Sequence, residues 1–204
     1  MTMIPDLENY FRGFLPPRDE LLTVLEQEAV FERIPIVGPV VGELLCILAR
    51  ATQAKSILEL GTATGYSTIY LARGCQAAGG RVVTLELDNI MAARARSNFA
   101  KARVAQQVVV RVGDALKLMS EMTETFDFIF MDIDKEAYLP ALTHCHRLLR
   151  VGGLLVADNV GFAGAADFNR EIFKSPNWRT VPLLCLLPHH SPEKDGLSIA
   201  LKVG

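Results

Sequence analysis

From Ser56 onward, short and almost continuously apolar runs alternate with longer amphipathic stretches. "SILEL" (56–60), "RVVTLEL" (81–87), "QVVVRV" (107–112), "FDFIFMD" (126–132) and "GLLVAD" (153–158) read as strands. Helices are expected from about Tyr66, over 89–104, over 138–150 and over 166–175. The third of these is expected to start near Pro140 and to stop at "VGG" (151–153). Strands buried on both faces carry no polar alternation, so the pattern specifies an α/β fold with a parallel sheet between helical layers. Right-handed crossovers make such a sheet doubly wound, and ligands collect at the carboxyl ends of its strands. "WRTVPLLCLL" and "GLSIALKV" read as terminal strands around the turn-rich "PHHSPEKDG". Before Ser56 the spacing of Leu21, Leu22, Leu25 and Ala29 is helical, and so is that of residues 39–54, with Pro39 suited to a first turn.

The chain has 204 residues, half of them hydrophobic and 22% charged, which fits one domain with a sizeable core. We read 1–204 as that domain, with 1–54 as a helical cap or dimerisation segment within it. Twenty-one basic against 23 acidic residues advertise no nucleic-acid face. No apolar run approaches the roughly 18 residues of a membrane span, and "MTMIPDLENYFRGF" lacks the pattern of a secretory leader. Cys46, Cys75, Cys145 and Cys185 are scattered, with no CxxC pair, as expected of free thiols in a cytoplasmic protein.

Glu59 and Gly61, Glu86, Asp114, Asp132 and Asp158 all fall at or just beyond an expected strand end. Any one of them is explained as a helix cap or turn residue. Five strands delivering polar groups to one rim indicate a site. "LELGTATGYS" (58–67) follows the first strand and opens a helix. Its glycines are four apart, unlike the GxGxxG of a dinucleotide turn. A helix N-terminus still attracts a smaller anion such as a carboxylate, and Ser67 in the first turn is placed to donate to it. Glu86 ends the second strand, where an acidic side chain accepts from ribose hydroxyls. Together these suggest a nucleoside carrying an amino-acid tail.

Asp132 ends the fourth strand, and Asp158 and Asn159 end the fifth. Neighbouring strands lie about 5 Å apart, so two carboxylates and an amide oxygen converge if these strands pair. Such hard oxygen donors suit Mg²⁺ or a similar divalent cation; the other reading is a capping Asp and an Asx turn. Lys135, three residues after Asp132, is placed either as a general base or as a solvated lysine at a helix start. His189 and His190 read as loop residues without an acidic partner at ligand spacing.

"ILELGTATGYSTIYLA", "FDFIFMDIDKEAY" and "GGLLVADNV" resemble the cation-dependent O-methyltransferases, the group containing catechol and caffeoyl-CoA O-methyltransferases and small bacterial relatives. The resemblance runs from about Ile36 to the C-terminal "DGLSIALKV". It implies a Rossmann-like sheet of seven strands, the last antiparallel, and methyl transfer from S-adenosylmethionine to an oxygen. Carried over by position, Glu59, Gly61, Thr62 and Ser67 hold the methionine part of the cofactor, Glu86 the ribose, and the backbone at Ala115 the adenine. Asp134 matches a further cofactor contact, and Asp132 belongs to the same shell. Asp132, Asp158 and Asn159 match the ligands of a divalent cation, Mg²⁺ first and Mn²⁺ or Ca²⁺ as alternatives. Lys135 matches the residue proposed as base. The expected acceptor is a small vicinal-dihydroxy aromatic, and the expected assembly a homodimer. Two features depart from the family. "VGFAGAAD" (160–167) has Phe162 as its only aromatic, and the short N-terminal region carries no case for acyl-CoA recognition. A nicotinamide-dependent oxidoreductase and a non-catalytic cofactor-binding scaffold are the rival readings.

Overall fold

The computed structural model describes residues 2–204. Seven strands form one sheet: β1 (Ser56–Leu60), β2 (Arg81–Glu86), β3 (Val108–Val112), β4 (Phe126–Met131), β5 (Leu149–Ala157), β6 (Trp178–Leu186) and β7 (Lys194–Lys202). Their order is β3-β2-β1-β4-β5-β7-β6. The first five run parallel, and β7 is antiparallel to both of its neighbours.

Side chains alternate across the sheet and give it two apolar faces. Ile57, Val82, Phe128 and Phe130 point to one, where α3 (Gly38–Ala51), α4 (Tyr66–Cys75) and α5 (Asn89–Lys101) pack with Leu45, Ile69 and Phe99. Leu58, Leu85, Ile129 and Met131 point to the other, against α6 (Ala115–Glu121), α7 (Tyr138–Leu148) and α8 (Ala166–Lys174). This is the doubly wound arrangement expected. Leu22 and Leu25 of α2 (Glu20–Glu32) join the first face, so the N-terminal region is built onto the sheet. The short α1 (Leu7–Arg12) buries no side chain. It reaches the β6–β7 loop through ion pairs, Arg12 with Glu193 and Glu8 with Lys194. Among the described residues, no helix is long and apolar enough to cross a membrane.

Two local expectations are corrected, and one element was not read. The helix after β4 begins at Tyr138, behind a 3-10 turn at Lys135–Ala137, and Pro140 lies in its first turn. "VGG" does not stop that helix. It lies inside β5, where Gly152 has φ 77° and the β4–β5 register shifts between Phe126 and Phe128. Seven-residue α6 carries too little periodicity to stand out in the sequence; Asp114 caps it through the Lys117 N–H.

The order of strands reverses at β1, whose neighbours are β2 and β4. Such a switch point leaves a crevice at the carboxyl ends. Gly61 turns the chain there with φ 92°, and a Cβ at Gly61 would lie 2.0 Å from the Asp132 carbonyl oxygen. Gly61→Ala therefore combines a left-handed strain of about 1–2 kcal/mol with a backbone clash. We expect at least about 2 kcal/mol lost in urea unfolding; a variant as stable as wild type would remove this close approach from the account.

Candidate functional site: a glycine turn beside a two-carboxylate rim

The ladder of the central strands continues one step beyond them. Gly61 N–H donates to Leu85 (3.0 Å), Asp132 N–H to Leu60 (2.9 Å) and Asp158 N–H to Met131 (3.0 Å). These bonds bring the ends of β2, β1, β4 and β5 to one level, and with them the two groups of side chains expected to work together.

On the β1 side, Glu59 is fully buried and accepts from Ser67 Oγ at 2.7 Å and from Thr68 Oγ1. Burial pushes its carboxyl up to about 7, against those hydrogen bonds. Thr62 Oγ1 pairs with Thr84 Oγ1 at 2.6 Å. The hydroxyls of Ser67 and Thr62 thus turn inward, and Ser67 does not aim at an external anion. Glu86 Oε2 accepts from the N–H groups of Thr62 (3.1 Å) and Ala63 (2.7 Å), while Oε1 accepts from Asp88 N–H (2.9 Å). Glu86 therefore clamps the turn from the neighbouring strand.

The residues around this turn fit a nucleoside–amino-acid cofactor. Gly65 (φ 87°) starts α4 without a side-chain cap, so the first N–H groups of the helix remain open. Thr64 Oγ1 is buried with no protein partner. Asp134 is exposed at the head of the 3-10 turn, and Ala115 is the first residue of α6, on the same rim.

On the β4–β5 side, Lys135 Nζ donates to Asp132 Oδ1 at 2.8 Å and to Tyr138 Oη at 3.1 Å. Burial raises the Asp132 carboxyl; Lys135 opposes this and Asp158 adds to it. Tyr138 is fully buried, with its hydroxyl between the carbonyl oxygens of Asp158 (2.8 Å) and Met131 (3.1 Å). Burial first, then Asp132 and Asp158, hold that phenol well above its ordinary range, so it stays neutral. Asn159 has φ 50°, a left-handed conformation that Asn tolerates better than most residues. Its Nδ2 donates to Asp195 Oδ2 at 2.6 Å and to the Ser191 carbonyl at 3.2 Å. That orientation leaves Oδ1 free as an acceptor.

Among the described residues, no three His, Cys, Asp or Glu side chains stand together as a metal-holding group. A cation here needs the Asn159 amide oxygen beside the two carboxylates, which is the hard all-oxygen donor set expected. The adjacent ends of β4 and β5 carry Asp132 with Lys135 and Asp158 with Asn159, oxygen donors of the kind a divalent cation takes.

Three contributors escaped the sequence reading. Tyr138 steadies Lys135, and Asp195 orients Asn159. His190, expected as a loop residue, is instead buried, with Nε2 at 2.8 Å and 3.0 Å from the two Asp158 oxygens. Burial pulls its imidazole down, but the hydrogen bond and charge of Asp158 outweigh that and raise it. His189 also has an acidic neighbour, Glu26 at 3.6 Å. The one sequence signal was the run "HHSPEKDG" itself, more polar than a bare hairpin requires.

A doubly wound sheet with a glycine turn and an acidic rim at its switch point is the architecture of an enzyme that binds a nucleoside cofactor there. The model for the O-methyltransferase family matches residues 19–173. Catechol O-methyltransferases of Niastella koreensis and Mycobacterium tuberculosis are each 39% identical, each alignment covering 76% of this chain and 72% of the relative. The structure of an O-methyltransferase from Bacillus cereus in complex with SAH superposes with a TM-score of 0.85 at 33% identity, over 96% of both chains. The chain belongs to the O-methyltransferase family, the S-adenosylmethionine-dependent class of enzyme that the sequence resemblance implied. The oxidoreductase and scaffold readings give way to it.

The raised Glu59 carboxyl has a signed consequence. Its folded pKa lies above the unfolded value of 4.5, so the native state holds the proton more tightly. The stability it lends is complete below 4.5 and is lost as pH rises to about 7. In urea unfolding across this range, wild type should lose stability relative to Glu59→Gln and level off above about pH 8. A pH-independent difference would show that the Glu59 carboxyl titrates alike in the folded and unfolded states.

Proposed function

We propose that the chain transfers the methyl group of S-adenosylmethionine to a hydroxyl of a small catechol-like aromatic, with a divalent cation held by Asp132, Asp158 and Asn159. The observation that carries the reading is the placement of these three residues and Lys135 at adjacent strand ends, on the rim that also bears the Gly61–Gly65 turn. The names of the relatives support it: two are catechol O-methyltransferases, and one structural neighbour holds SAH.

A phenolic hydroxyl ionises near pH 10. When bound, the cation supplies Lewis acidity that favours the phenolate, and S-adenosylmethionine supplies an electrophilic methyl group. The protein supplies position. Asp132 and Asp158, on adjacent strands, would hold the cation, and Asn159, aimed by Asp195, would offer Oδ1. Lys135 Nζ, held beside Asp132 and Tyr138, would take the hydroxyl proton as the neutral amine, after giving its own ammonium proton to solvent. The turn backbone and the open start of α4 bind the amino-acid tail of the cofactor, Glu86 the ribose, Ala115 N–H the adenine and Asp134 a further polar group. Glu59 buttresses the turn from beneath through Ser67 and Thr68. Alignment of hydroxyl oxygen and methyl carbon then accounts for much of the acceleration.

The same reading makes 1–204 one catalytic domain working as a cytoplasmic homodimer through its N-terminal helices. Phe11, Phe14, Val30 and Phe31 are exposed at 55%, 63%, 80% and 89%. That favours the dimer role.

Methyl transfer to a panel of vicinal-dihydroxy aromatics, read by product mass, should vanish in excess EDTA and return with Mg²⁺ or Mn²⁺. Full activity in chelator would sink the cation. Asp158→Ala should lower kcat by at least about a hundredfold while leaving calorimetric binding of S-adenosylmethionine within a fewfold of wild type. Lys135→Ala should cost about 10²–10⁴ in kcat; an unchanged rate would assign proton removal elsewhere.

A further inference from the structure

His190 is the buried titratable group that the proposed chemistry leaves unused. It sits in the loop between β6 and β7, yet its side chain is only 1% exposed, as is that of Asp158. Nε2 straddles the carboxylate, 3.0 Å from Oδ1 and 2.8 Å from Oδ2. Nδ1 lies 2.7 Å from the Pro192 carbonyl oxygen. A carbonyl and a carboxylate only accept, so both ring nitrogens donate. One ring N–H thus caps both carboxylate oxygens of Asp158.

The charges of the rim match pairwise. Lys135 stands against Asp132, and His190 against Asp158. Asp158 is buried while the Asp132 side chain is 28% exposed, and a buried charge without a partner costs several kcal/mol. Asp158 Oδ1 also accepts from the Asn159 N–H at 2.9 Å, so its acceptor capacity is largely taken.

Building on the cation site proposed above, we propose that His190 is the resident partner of Asp158 in the cation-free enzyme, and that a divalent cation takes its place. Binding then breaks the Nε2–Asp158 hydrogen bonds and moves the loop that carries His190. That loop is anchored to the N-terminal helices, through Arg12–Glu193 to α1 and through His189–Glu26 to α2. His190 thereby weakens the site for every divalent ion and couples its occupancy to the loop.

The test is Mn²⁺ titration of the full chain by calorimetry, for wild type, His190→Ala, His190→Gln and Asp158→Ala, with thermal melts as folding control. Competition predicts that Mn²⁺ binds His190→Ala at least tenfold more tightly than wild type. His190→Gln, which keeps a neutral donor near Asp158, should fall between and serves if the alanine variant does not fold. Hydrogen exchange should show residues 187–193 losing protection when Mn²⁺ binds wild type. Unchanged or weaker Mn²⁺ binding in folded His190 variants overturns the competition and makes His190 a support for the ligand. If Asp158→Ala binds Mn²⁺ as wild type does, the cation site itself has failed, and this inference with it.

Discussion

The parallel pairing of β1, β4 and β5, carried one residue past each strand, is what the rest of the site depends on. Asp132 N–H reaches back to Leu60, and Asp158 N–H to Met131. Each bond fixes the first polar residue after a buried apolar strand. Shifting β4 by one residue would turn its apolar set to the wrong face, so the register is strongly specified. The core therefore positions the chemistry: Phe128, Phe130, Ile129 and Met131 are all fully buried, and their packing decides where Asp132 emerges.

With the backbone placed, the remaining problem is electrostatic. Glu59, Asp132 and Asp158 bring three carboxyl groups into low-dielectric surroundings around two adjacent turns. Each is managed differently. Glu59 is held by hydroxyl donors and leans toward its protonated form, Asp132 has Lys135, and Asp158 has His190. Neutral groups do the aiming: Tyr138 through two carbonyl oxygens, and Asn159 through its tie to Asp195. Asp195 is itself satisfied by the N–H groups of Gly161 and Gly196. The pattern gives an O-methyltransferase a rim that is charge-balanced as folded.

Much of this was legible in the residues. "SILEL" matches β1 from end to end, and Tyr66 opens α4 as read, because a glycine turn between an apolar strand and a helix leaves little freedom. The pairing of β4 and β5 that sets Asp132 and Asp158 at adjacent strand ends was legible as well. The inward turn of the Ser67 and Thr62 hydroxyls was not legible, since position in a helix does not say which acceptor a hydroxyl finds. Nor was the long β5. Glycines usually end helices, yet Gly152 and Gly153 here sit in a strand whose register slips beside Phe126.

By itself, the sequence determined the layers, the order of elements and the polar residue ending each strand. Those follow from hydrophobic periodicity and local turn chemistry, which act over a few residues. Tertiary structure alone decided which charges meet. His190 reaches Asp158 across 32 residues and Asp195 reaches Asn159 across 36. Such contacts depend on β7 returning antiparallel beside β5 and delivering its loop to the rim. No local pattern encodes that return, because a hairpin loop reads the same whether its histidines face water or a buried carboxylate.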